Sequence, residues 1–192
     1  MDDSNDAEEV AAAIEEIGVD RLTDTIATAW EQAGLETGRP TWPDDESRHR
    51  VRPPVSEERE DGEGAAGSLA ADALAAVLDA TPREPATVFC YLSVGRRVDL
   101  VGPERTALEA LSGHADVRVD TDHTAGTIPL TGETFDAVVR LLDQVEYLLI
   151  RDDTGDAVAE WRQETLRFSV PELGPVTAAL PPTLSERVER DD

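Results

Sequence analysis

The sequence predicts an α+β fold: a mainly antiparallel sheet with two or three packed helices, preceded by an N-terminal helical segment and a disordered linker. Three observations predict it. Apolar residues alternate in short runs such as "ATVFCYLSV", "EYLLIRD" and "TLRFSV". Several of these runs are joined by turn-length stretches. Helical stripes intervene irregularly rather than once per strand, which argues against a parallel α/β sheet. The boundaries that follow are a helical segment over 1–34, a flexible acidic, proline-containing linker over 35–66, and an α+β domain over 67–192.

Taken in order, residues 7–34 place Val10, Ile14 and Ile17 on one stripe, continued after a break by Leu22, Ile26, Trp30 and Ala33. Gly18 can end one helix and Asp20 can cap the next, so the segment reads as two short helices. About 30 residues cannot bury enough surface to stand alone, so the stripe needs something to rest on. The linker is proline-rich and charged, without sustained periodicity. Inside it, Trp42 is a large aromatic that needs a surface to rest on, and "RHRVR" at 48–52 is a basic island between "DDE" and "EERE".

From Ser68 an Ala-rich helix presents Leu69, Ala73, Ala76 and Val77 and stops before Pro82. "ATVFCYLSV" reads as a strand with Val88, Cys90, Leu92 and Val94 on one face, and "GRR" as a hairpin turn into "VDLVG". Gly102-Pro103 opens a helix with Ala107, Leu108 and Leu111 inward. "ADVRVD" is a further strand. After a short "TIPL", Thr131 starts the strongest helix, with Phe135, Val138, Val139, Leu142 and Val145 following the i, i+3, i+4, i+7 rule. "EYLLIRD", "AVAEWRQ" and "TLRFSV" then follow as strands, and one or two short helices sit among the final prolines.

The charge balance constrains function. Asp and Glu number 42 against 17 basic residues, for a net charge of −25, and all of the bases are arginine. A lysine-free, strongly acidic chain resembles the proteins of extreme halophiles, whose cytosol holds multimolar KCl. At about 1 M salt the Debye length is roughly 3 Å, so such a surface is tolerable there and self-repelling in dilute buffer. Phosphate contacts weaken steeply as salt rises, so nucleic acid is an unfavoured partner. Cys90 is the one cysteine, which excludes an intrachain disulfide and fits a reducing cytoplasm. The first ten residues lack the basic and apolar regions of a signal peptide, and no apolar run approaches the ~20 residues that cross a bilayer.

Candidate motifs resolve mostly into ordinary structure. "GEGAAG" has the G-x-G-x-x-G spacing, but "SEERED" before it cannot be the buried strand that a dinucleotide site requires. His114, Asp116, Asp120, Asp122 and His123 crowd one window, yet strand alternation sends the two histidines to opposite faces. Ser93 has Tyr91 where a nucleophile elbow has glycine. Cys90 shares its face with Val88 and Leu92 and reads as an inert buried thiol. No catalytic, cofactor-binding or metal-binding residues are therefore assigned, and no small molecule is implied. Ile26, Trp30, Trp42, Arg96 and Arg97 remain as interaction candidates, the two arginines because a hairpin tip can grip a phosphate or carboxylate.

The reading that results is a non-catalytic cytoplasmic interaction or regulatory protein of an extreme halophile, binding a protein partner or a second copy through its N-terminal helices. Two alternatives stand: an enzyme whose site is assembled from scattered Asp, Arg and His residues, and a DNA-associated regulator using "RHRVR".

Overall fold

An eight-stranded sheet, every pairing in it antiparallel, organises the chain, with helices on one face. The structure is a computed structural model and describes residues 40–53, 66–93, 100, 102–114, 116–119, 123–142 and 144–191. The helical expectation for 7–34, with Ile26 and Trp30, lies outside the described residues, as do Arg96, Arg97 and the glycines at 62 and 64.

In chain order the elements are β1 (Ser47–Val51), α1 (Ala66–Ala80), β2 (Pro85–Ser93), α2 (Gly102–Ser112), β3 (Val117–Val119), β4 (His123–Pro129), α3 (Gly132–Leu141), β5 (Tyr147–Asp152), β6 (Ala157–Arg162), β7 (Thr165–Val170), α4 (Leu173–Ala179), α5 (Pro182–Ser185) and β8 (Glu189–Arg190). The strand order across the sheet is β3-β4-β2-β5-β6-β7-β1-β8. The α+β class and the antiparallel sheet are thus as the alternation predicts.

Side chains directly opposite one another share a face, so the register turns the sheet into rows. One row runs Ile128, Val88, Ile150, Ala159, Phe168, His49 and Arg190 from β4 to β8. With the row of Cys90, Leu148, Trp161, Leu166 and Val51, it makes the floor of the core, onto which Ala73, Leu74 and Val77 of α1, Leu111 of α2 and Val138 and Leu141 of α3 pack. Thr131 caps α3 as expected: its Oγ1 accepts from Thr134 N–H at 3.3 Å, and its own N–H donates to Thr134 Oγ1 at 2.7 Å. That reciprocal pair satisfies two N–H groups at the helix start.

Three expectations are corrected. The folded unit begins at Pro40 rather than at residue 67. Within the supposed linker, the basic island is strand β1, paired with β7 along its whole length and with β8 at His49 and Arg50. Its inward positions are Ser47, His49 and Val51, too polar a set to announce a half-buried strand. Trp42 is half-buried, and Thr41 beside it accepts the Ala157 N–H at 2.7 Å, so this stretch is tied to β6. Finally, the two neighbours of β2 are β4 and β5 rather than a hairpin partner from "VDLVG", and Gly102 opens α2 at φ +55°. The strand that flanks β2 instead is β4, around "TIPL", whose Thr, Gly and Pro content masks its strand character.

Candidate functional site

The other face of the sheet changes character from one end to the other. Its central row is Thr127, Phe89, Leu149, Glu160, Arg167, Arg50 and Glu189, from β4 to β8. Phe89, Leu149 and Ala125 are buried here, outside the helix-side core. Phe89 and Tyr147 meet at a tilted 6.0 Å between ring centroids, a favourable aromatic distance. Toward β1 and β8 the row becomes ionic. The adjacent rows add Arg48 opposite Ser169, Arg162 opposite Tyr147, and Arg151 opposite Thr87. Five arginines, Arg48, Arg50, Arg151, Arg162 and Arg167, therefore share this face.

Glu160 is the buried member of the ionic end. Arg167 lies 3.5 Å from its carboxylate, and the Tyr147 hydroxyl donates to it. Burial nevertheless pushes the Glu160 carboxyl above the usual carboxylate range, against the pull of Arg167 and Arg162. The same burial, with Glu160 beside it, pushes the Tyr147 phenol well up. A carboxyl whose folded pKa is raised contributes stability that is fully present below its unfolded value of about 4.3 and is lost as pH rises through the folded value. Glu160→Gln is therefore expected to raise the melting temperature near pH 8 while leaving it close to wild type near pH 4. Thermal unfolding across that range checks this; a uniform offset at every pH would show that Glu160 carries no such linkage.

On the opposite side of the sheet, His49 stacks on Phe168 at 5.7 Å, and burial, then Arg190, lowers its pKa. It is a buried imidazole on the helix side of the sheet. Burial pushes the Cys90 thiol up to about 12, which matches the inert-thiol reading. His114 follows the last residues of α2, while the register sets Ser93 opposite His123 at the far end of the β2–β4 ladder. Among the described residues, no three His, Cys, Asp or Glu side chains gather into a metal-binding group. A groove of about 370 Å³ between α1 and α4 offers two carboxylates, Asp72 and Asp79, over a floor of Ala75, Ala76, Ala179, Leu180 and Pro181. No helix among the described residues is long and apolar enough to cross a membrane.

Of the five interaction candidates, only Trp42 falls among the described residues. The arginine face was not legible as a unit, because its members come from four strands, and β1 lies far upstream of the other three. Its trace in the sequence is the outward set of each strand: Arg48 and Arg50 in "SRHRV", Glu160 and Arg162 in "AVAEWR", Arg167 in "TLRFSV". No protein-family model, no curated protein and no solved structure matches the chain.

Proposed function

We propose that the chain is a non-catalytic protein-interaction or regulatory protein, and that the arginine face is the binding surface of its folded unit. The observation that carries the reading is the gathering of five arginines on one sheet face in a chain of net charge −25. Arg48 and Arg50 are exposed there, and Arg48 has no ion-pair partner among the described residues. A cluster of arginines on an otherwise acidic chain favours contact with acidic protein surfaces.

The halophilic composition bears on which contacts last. In multimolar salt, long-range attraction is screened. The planar guanidinium fork still makes direct, geometrically matched bonds to carboxylates, which lysine does not match. The apolar stripe that the sequence places at Ile14, Ile17, Leu22, Ile26 and Trp30 supplies a second contact surface, for a partner or a second copy, that salt strengthens rather than weakens.

Captured through a tag from its own cytosol in multimolar KCl with nuclease added, the chain is expected to retain a protein partner in stoichiometric amount or to self-associate. Ile26→Asp with Trp30→Asp is expected to abolish that association, and Arg48→Glu to weaken it roughly tenfold, about 1.4 kcal/mol. Undiminished association of both variants would overturn the reading.

A further inference from the structure

We propose that β8 is an internal stand-in for the ligand of the arginine face, and that this ligand is an extended protein segment with acidic residues two apart, which adds to the β1 edge in place of residues 189–191. The proposal rests on the interaction reading above and names the partner chemistry of the same face.

The ionic end sets its arginines against carboxylates, Glu160 on Arg167 at 3.5 Å among them. Arg50 and Arg167 stand directly opposite each other on β1 and β7, and like charges in that position destabilise a sheet unless something neutralises them. Asp191 supplies one carboxylate between them, 3.8 Å from Arg50 and 3.5 Å from Arg167. Glu189 supplies another, its Oε2 accepting from Arg50 Nε at 3.1 Å and Nη2 at 2.9 Å. Residues two apart in a strand face the same way, so Glu189 and Asp191 meet the arginines together while Arg190 turns to the other side. The main chain adds the Asp191 N–H donating to Arg48 carbonyl at 3.0 Å. This is recognition by strand addition: backbone bonds for affinity, alternate side chains for specificity.

The same contacts are weak enough to be exchanged. β8 is two residues long and pairs with only two of the five residues of β1. The Arg50 and Glu189 side chains are 47% and 65% exposed, and exposed ion pairs hold little energy; Arg167 and Asp191, at 30% and 20%, form the more sheltered pair. Immediately before β8 the anchoring changes: Leu184 is fully buried and Val188 packs against the core. Only residues 189–191 need to lift. A site occupied by its own chain binds an external ligand with an affinity reduced by the fraction of time it is open.

The test uses the full chain and a fluorescent peptide of residues 187–191, Arg-Val-Glu-Arg-Asp, with anisotropy as the readout. The variant carrying Glu189→Ala and Asp191→Ala is expected to bind the peptide roughly tenfold more tightly than wild type. Adding Arg50→Ala and Arg167→Ala to it is expected to abolish binding, and a peptide with both acids replaced by alanine is expected not to bind. Should the alanine variant not fold, Glu189→Gln with Asp191→Asn removes the same charges at nearly the same size and is read in the same way. Equal binding by wild type and variant, or equal binding of the alanine peptide, overturns the proposal. No peptide binding to the variant, with partner capture still weakened by Arg48→Glu, overturns the role of β8 as a stand-in and leaves the interaction reading in place.

Discussion

Replacing Arg83 with methionine is expected to cost about 3–5 kcal/mol of stability, the cost of stranding buried charges by removing their partner. Arg83 lies just before β2, and its guanidinium ties together four parts of the chain. Nη1 donates to Asp152 Oδ2 at 3.3 Å and to the Ala157 carbonyl at 3.0 Å, while Nη2 donates to the Ser169 carbonyl at 3.2 Å and to Ser169 Oγ at 2.8 Å. Glu46 adds an ion pair at 3.0 Å, off the N–H direction and so electrostatic rather than a hydrogen bond. The side chains of Arg83, Glu46 and Asp152 are only 16%, 9% and 5% exposed. Water cannot replace the lost partner at such sites. For a unit of this size the loss corresponds to a fall in melting temperature on the order of 10 °C.

Two further readouts separate this account from a simple packing loss. Adding Glu46→Gln and Asp152→Asn to Arg83→Met is expected to recover part of the stability, because the stranded charges are then gone. Failure of that rescue would assign the loss to packing. The acid limb also moves. Burial alone would raise Asp152, but hydrogen bonds from the Thr154 hydroxyl, from the Asp156 and Thr154 N–H groups and from Arg83 outweigh it and hold the carboxyl below its ordinary value. Its contribution is present above the unfolded value of about 3.9 and disappears as pH falls through the folded one. Without Arg83 that limb is expected to begin at a higher pH.

The Arg83 node also shows where sequence reading stops. The strands β2, β5, β6 and β7 and the capped helix α3 were legible, because each carries its own periodicity or cap. Arg83 in "TPREP" has no such local signature. Its partners lie at Glu46, Asp152, Ala157 and Ser169, and only the sheet order brings them together. β1 was hidden for a related reason. A strand whose inward residues are Ser47, His49 and Val51 earns its place from β7 rather than from hydrophobicity, and the prolines at 43, 53 and 54 gave it the look of a linker. The arginine face follows from that misreading: with "RHRVR" assigned to a linker, Arg50 could not be set against Arg167 and Glu189. Charge in this composition is too abundant to mark a site on its own, and register is what makes it specific.

Gly126→Ala is the second change with a large expected effect, about 1–3 kcal/mol, in the range of overpacking. Gly126 on β4 stands opposite Val117 on the edge strand β3. A Cβ at this position would meet the Asp116 carbonyl oxygen, the Val117 Cα at 2.6 Å and Val117 Cγ2 at 2.9 Å. Two of those three atoms are backbone, so the strand itself has to move. β3 is three residues long and reaches the sheet through β4, with α2 leading into it by the Val117 N–H donating to the His114 carbonyl at 3.1 Å. Hydrogen exchange is therefore expected to quicken at residues 117–119 well beyond the change at β5 and β6, while the melting temperature falls by several degrees. Val117→Ala in the same chain removes Cγ2 and leaves both backbone contacts, so it is expected not to rescue. Full recovery by Val117→Ala would place the conflict in the side chain and refute the requirement for glycine at this crossing.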